Sequence, residues 1–299
     1  ARNPRNTQLQ GETNVYIDDF EGAQTNIDIK GFNAWNLSSV PINGVLGAEE
    51  KGLARGYGRS KLAWYSIDRI FYSRTPPTGI NNNDISDNTT RRIFIKEIFP
   101  EQDLVQGNTT VQNTLDLAYY PDEKGPYNNS PIESFEEKSK EHWAGITRSI
   151  NATNFEQANV EFIEFWLLDT FSDLEADEDE LGDLVFHLGN ISEDILDDGR
   201  KQFENGLPGA TENTATYETE WGKVPATQSL VYAFNTEAED RERQDVGLDG
   251  LSDSEEFNIY NNGPTNDPAG DNYEYYIKAS GNILERYKNY NGTDGNTPI

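Results

Sequence analysis

The chain contains no cysteine and no methionine, and its histidines number two. Without cysteine there are no disulfides, zinc–thiolate sites, iron–sulfur clusters or thiol nucleophiles. With His142 and His187 as the sole imidazoles, a multi-histidine metal site cannot form within it. Basic residues are scarce: 24 Lys and Arg stand against 53 Asp and Glu, for a net charge of −29. Such a field repels nucleic acid and anionic lipid, whose binding rests on phosphate neutralisation. Long apolar runs are missing too. No stretch approaches the roughly 20 apolar residues of a membrane helix. Glu161 and Glu164 interrupt the strongest strand-like run, which argues against lipid-facing barrel strands. There is no GxSxG nucleophile elbow, phosphate-cradling GxxxxGK[ST] or dinucleotide fingerprint. These absences predict a water-soluble, non-enzymatic chain. Opening on Ala1 with no methionine and no visible leader, it reads as a processed product or an excerpt of something longer.

What is present points to β-structure. The 299 residues suffice for one large domain or two modest ones, and 34% are hydrophobic, with Tyr and Phe carrying much of that share. Two apolar runs, VEFIEFWLLDTF (Val160–Phe171) and DLVFHL (Asp183–Leu188), flank an acidic connector. In the second, Leu184, Phe186 and Leu188 fall on one face, as in a core strand. TLDLAYY (Thr114–Tyr120) alternates with Leu115, Leu117 and Tyr119 together. Short helices are predicted at Glu237–Arg243 and Asn282–Asn289. The expected fold is mainly β: a β-sandwich with long loops over residues 1–235, followed by a short, acidic, partly helical appendage over 236–299. The order DDFEG, Trp35, then an apolar pair ending LVFHLG resembles jelly-roll sandwiches of the galactose-binding and carbohydrate-binding type. That is a likeness of fold and carries no function by itself.

The sharpest chemical motif is DVGLDGLSDSEE. Against the 12-residue calcium-loop template, Asp245 takes position 1, Asp249 position 5, Gly250 position 6, Asp253 position 9 and Glu256 position 12. Calcium needs six to eight hard oxygens, and a loop wrapping one ion must turn sharply at its middle, which Gly250 permits. Leu251 would offer its backbone carbonyl and Glu256 would close the shell. Gly247 stands at position 3, where a carboxylate or amide is usual, so one ligand is lost. The structural alternative is an acidic turn leading into a helix capped by Ser252 or Asp253. A bound calcium here is expected to be structural. Weaker candidates are Asp18, Asp19 and Glu21 as ion ligands at a strand end, and Glu161, Glu164 and Asp169 as a glycosidase-like carboxylate pair. Trp35, Trp64, Trp143, Trp166 and Trp221 serve either as core or as a sugar-stacking platform, with Trp166 assigned to the core.

Eight segments, in order, carry a resemblance to a known family: NPRNTQLQGETNVYIDDFEGAQT, LAWYSID, LAYYPDEKGPYN, NFEQANVEFIEFWLLD, GDLVFHLGNISEDILDDGRKQFENGLP, WGKVPATQ, QDVGLDGL and ILERYKNYN. Together they resemble the SprA/Sov family, the outer-membrane translocon of the type IX secretion system, which also serves gliding motility. The resemblance implies a soluble portion of a very large β-barrel that exports folded cargo. The portion would cover or line one mouth of the pore, at the cell surface or, alternatively, in the periplasm. Its partners would be the rest of the barrel, accessory proteins and exported cargo, with no nucleic acid and no membrane insertion of its own. The rival expectation is a carbohydrate-binding sandwich of a cell-surface protein.

Overall fold

The computed structural model describes residues 28–42, 45, 47–104, 107, 110–131, 135–150, 165–170, 182–199, 207, 215–226, 237–244, 246–259 and 267–290. Its strands are short and pair two by two, all antiparallel. β1 (Asn36–Leu37) pairs with β6 (Ile146–Thr147), and β2 (Ser60–Tyr65) with β5 (Asp116–Lys124). β3 (Ile93–Phe94) pairs with β4 (Val111–Gln112), and β7 (Thr216–Thr219) with β8 (Gly222–Pro225). Short helices α1 (Asn82–Ser86), α2 (Ile95–Ile98), α3 (Ala238–Gln244), α4 (Asp253–Glu256) and α5 (Ile283–Tyr287) punctuate the loops. The described residues thus form mostly short strand pairs with a little helix.

The longest pairing shows how sequence sets register. Lys61 to Tyr65 run opposite Tyr120 to Asp116, and the register then breaks between Ser60 and Lys61, opposite Pro121. Proline has no N–H for the ladder, so a bulge forms there. The Pro121 carbonyl is used instead by the Ser60 hydroxyl at 3.1 Å and by Nδ1 of His142 at 2.8 Å. His142 is buried and stacks on Phe135, so it is a structural histidine. The alternation of β5 points the other way from expectation: Leu117 and Tyr119 stand 46% and 42% exposed, while Ala118 packs against the core.

That core is aromatic. Tyr65 stacks on Tyr287 with ring centroids 4.1 Å apart, Tyr276 stacks on Tyr287 at 4.7 Å, and Phe71 closes the group at 5.8–5.9 Å from both tyrosines. Ala63 and Ile283 fill the remainder. Such ring pairs contribute about 0.5–1.5 kcal/mol each beyond their area burial. Hydroxyls buried with the rings find partners: Tyr276 donates to Asp68 Oδ2 at 2.6 Å, and Tyr287 accepts from the Asp68 N–H at 3.0 Å. A second cluster gathers Leu37, Tyr127, Leu196, Trp221 and Leu248.

Two observations bear on the expected organisation. The expected boundary at residue 236 is crossed by this packing, because α5 and Tyr276 complete the core begun by β2 and Phe71. The division instead sets Lys30–Arg148 with Asp169–Ile299 in one compact unit, and Ala1–Ile29 with Ser149–Leu168 in another. The two apolar runs expected to form the sandwich core are not strands where they are described. Trp166 and Leu167 are 71% and 70% exposed, and Leu184, Val185, Phe186 and Leu188 all exceed 50%. Strand propensity reports fit to a half-buried pleated surface and is realised only where a neighbouring strand and a covering layer meet it. Val160–Glu164 and Phe171 lie outside the described residues.

Candidate metal centre

Two loops build an acidic centre. The first runs from Val246 to Leu251 and turns through glycines in the left-handed region, Gly247 at φ 68° and Gly250 at φ 72°. It is pressed against the β7–β8 hairpin: the Lys223 N–H donates to the Asp249 carbonyl at 2.8 Å, and a Cβ on Gly222 would lie 2.1 Å from that same oxygen. From another part of the chain, the Tyr127 hydroxyl donates to the Leu248 carbonyl at 2.9 Å. The loop feeds α4, whose first turn is fastened by Glu255 accepting the Ser252 N–H at 3.0 Å. Glu256, on its last turn, faces inward and is fully buried.

The second loop is DPAGD. Asp267 Oδ1 accepts the Asp271 and Asn272 N–H groups at 3.1 and 3.4 Å, which folds the turn back on itself. The fold places Asp271 directly beneath Gly247. Its Oδ2 accepts the N–H groups of Leu248 and Asp249 at 2.8 and 3.0 Å.

Asp249, Glu256 and Asp271 are each under 4% exposed. Each has one oxygen tied to backbone: Asp249 Oδ1 accepts the Leu251 N–H at 2.8 Å, Glu256 Oε2 accepts the Ala269 N–H at 2.9 Å, and Asp271 Oδ2 is held as above. Each has a second oxygen that is buried with no hydrogen-bond donor among the described residues: Asp249 Oδ2, Glu256 Oε1 and Asp271 Oδ1. One oxygen from each of the three lies within 4.8 Å of the others. A calcium–oxygen bond of about 2.3–2.6 Å lets one ion touch oxygens roughly 5 Å apart. A second group, Asp253, Glu256 and Asp267, meets the same distance limit on the more open side.

Burial and mutual repulsion push all three inner carboxyls upward. Desolvation raises Glu256 to about 8, with Asp271 adding to it. Desolvation raises Asp249, reinforced by Asp271 and Glu256. Desolvation also raises Asp271, against the pull of its two backbone N–H donors. A buried carboxylate with an unused oxygen is costly unless it is paired or bound to a cation. An all-oxygen set with no nitrogen or sulfur suits hard divalent cations. The centre can therefore hold a metal.

The sequence motif is partly recovered. Glu256 lies with Asp249 in the inner group and with Asp253 in the outer one, while Leu251 touches Asp249 through its N–H rather than offering the expected carbonyl. Asp245 lies outside the described residues. Asp267 and Asp271 were not anticipated, although the vacant third position at Gly247 was the clue. A Cβ there would sit 2.2 Å from Asp271 Oδ1, so glycine is required because a distant carboxylate occupies that place. The helical alternative coexists with the site, since α4 is fastened at Ser252 and delivers Glu256.

The other candidates are not brought together among the described residues. Asp18, Asp19, Glu21, Glu161 and Glu164 lie outside the described residues, while Asp169 and His187 are exposed. Trp64, Trp143 and Trp221 are buried, and the exposure of Trp166 contradicts its assignment to the core. Among the described residues, no helix is long and apolar enough to cross a membrane. No protein-family model and no curated protein matches the chain.

Proposed function

We propose that this chain is a non-enzymatic, calcium-stabilised module of an outer-membrane translocon of the SprA/Sov type, placed at the cell-surface mouth of the pore. There it docks accessory proteins and exported cargo, in protein export and in gliding motility. One observation carries the reading. Five of the eight segments that resemble the family contact one another among the described residues. LAWYSID and ILERYKNYN meet through Tyr65 and Tyr287, and LAYYPDEKGPYN meets QDVGLDGL through Tyr127 and Leu248. WGKVPATQ meets QDVGLDGL through Lys223 and Asp249.

Calcium is the ion that best suits the inner centre. Its ligands come from two irregular loops and a helix end, and calcium tolerates irregular shells where magnesium demands a near-ideal octahedron. The ion is structural in this reading, because it fastens the 246–256 segment to the 267–271 turn. The jelly-roll belongs to the same proposal: the exposed Leu184–Leu188 run becomes a core strand if the rest of a longer protein supplies pairing and cover. The carbohydrate-binding alternative has less support, since Trp64, Trp143 and Trp221 are buried and Trp166 alone of the described tryptophans is strongly exposed.

Deleting this segment from the full-length protein in its own cell tests the reading. Loss of cargo export across the outer membrane is the expected result, and undiminished export overturns it. Separately, melting of the purified chain in millimolar calcium should exceed that in chelator, and equal melting removes the structural ion.

A further inference from the structure

We infer that the acidic centre holds two divalent cations rather than one, with Glu256 as the carboxylate shared between them. The inference rests on the calcium reading above and extends it to a second ion of the same class.

Glu256 belongs to both three-carboxylate groups: to the buried one with Asp249 and Asp271, and to the more open one with Asp253 and Asp267. It is fully buried, its Oε2 is held by the Ala269 N–H, and its Oε1 has no donor among the described residues. A side chain so placed has a carboxylate oxygen within 4.8 Å of both groups, and paired metals about 3.5–4 Å apart are a familiar arrangement. The outer group is also organised. Asp253 Oδ1 accepts the Asn272 side-chain amide at 2.9 Å, and Asp267 Oδ1 is fixed by the backbone of its own turn.

Charge supplies the second line. Among the described residues, five carboxylates are gathered here, and Lys61 is the basic group that acts on Asp267 and Asp271. The neighbouring Lys288 is paired with Glu123. One divalent cation plus Lys61 leaves the five carboxylates with two uncompensated negative charges, in a partly desolvated place. Two divalent cations plus Lys61 match them charge for charge. Charge that is only partly desolvated still gains from being matched, so the first ion leaves a favourable place for a second.

The two ions should differ. The inner one is enclosed by buried carboxylates, while the outer one sees partly exposed Asp253 and Asp267. The outer ion should therefore bind more weakly and exchange faster.

The test is ion stoichiometry on the whole chain, by native mass spectrometry and by calorimetric titration with calcium at submillimolar concentration. Two ions per chain with separated affinities are expected. One ion overturns this inference and leaves the structural-calcium reading standing, whereas none overturns both. The double variant Asp253→Asn, Asp267→Asn should bind one ion and keep the calcium-dependent rise in melting temperature. Retention of two ions by that variant places the second elsewhere and overturns the inference. Terbium luminescence titration of the unaltered chain gives the same count without any substitution, with two phases expected and a single phase contradicting it.

Discussion

Two buried charged clusters sit in neighbouring stretches of this chain, and they are finished in opposite ways. Arg286, 3% exposed beside the tyrosine core, is satisfied by the chain itself. Its Nε donates to the Gly281 carbonyl at 2.9 Å, Nη1 to Tyr276 and Ile277 at 3.2 Å each, and Nη2 to Thr78 at 2.7 Å. The carboxylates of Asp249, Glu256 and Asp271 are only half satisfied, each retaining one buried oxygen without a donor among the described residues. Buried polar groups are almost always paired, so an incomplete set leaves room for a ligand or a proton, whereas a complete one implies architecture. The first region should stand on its own; the second should respond to what is in the solution.

The largest effect is expected in the region that is already complete. Tyr287→Ala removes the ring on which Tyr65 and Tyr276 both stack, in a place with no exposure. A buried aromatic truncation costs about 3–5 kcal/mol. Urea unfolding should show that loss equally in calcium and in chelator. A loss that depends on calcium would mean that the two regions are one cooperative unit with no division of labour.

Next comes the ion itself. Calcium at a hundred times its dissociation constant should stabilise the chain by about 2.7 kcal/mol. Asp271→Asn should erase that increment, because it weakens the ligand and leaves its backbone donors near Leu248 and Asp249 with a poorer acceptor. Thermal melts of both proteins, with calcium and with chelator, check it. A variant that keeps the full increment removes Asp271 from the centre.

Gly247→Asp sets the sequence reading directly against the structure. By the loop template, the substitution fills an empty ligand position and should tighten calcium. By the geometry, the new Cβ meets Asp271 Oδ1 at 2.2 Å from a left-handed backbone, so binding should weaken by tenfold or more and stability should fall by about 1–3 kcal/mol. Calorimetry decides between the two.

That conflict marks what could be read from the residues alone. The short helices within 237–244 and 282–289, the 116–120 part of β5 and three of the five clustered carboxylates (Asp249, Asp253 and Glu256) were legible, because local propensity, capping and loop spacing are local facts. Asp267 and Asp271 were not, because their partners lie far along the chain and nothing local distinguishes DPAGD from any acidic turn. The 160–171 and 183–188 runs misled for the converse reason. Their alternation is a genuine strand signal, but pairing and cover are supplied by neighbours, and the described parts of those runs stand exposed. The tyrosine core was missed because 63–71 and 276–287 join across most of the sequence.

The pH response separates the regions more gently. Burial raises the Glu256 carboxyl from 4.5 to about 8 in the fold, so the metal-free fold binds more protons than the unfolded chain between those values. A raised carboxyl contributes stability that is fully present below the unfolded value and is lost as pH climbs through the folded one. In chelator the melting temperature should therefore fall from pH 5 to pH 8. In saturating calcium the fall should be reduced or reversed, because the cation displaces the proton and binds more tightly as pH rises. Parallel pH series with and without calcium provide the check, and identical slopes would exclude these carboxyls as the ligands.

The smallest effect concerns the rim. Lys223 pairs with Glu255, joining the hairpin to the start of α4, but both side chains are partly exposed, at 28% and 47%. Exposed pairs contribute about 0.2–1 kcal/mol and weaken with salt. Lys223→Ala should cost no more than that in unfolding experiments and should leave calcium stoichiometry unchanged, because the Lys223 N–H that supports Asp249 belongs to the backbone and survives the substitution. Loss of an ion in that variant would mean that the hairpin's side chains, and not only its backbone, hold the acidic loop in shape, which would erase the boundary between the buried carboxylates and a screened outer edge.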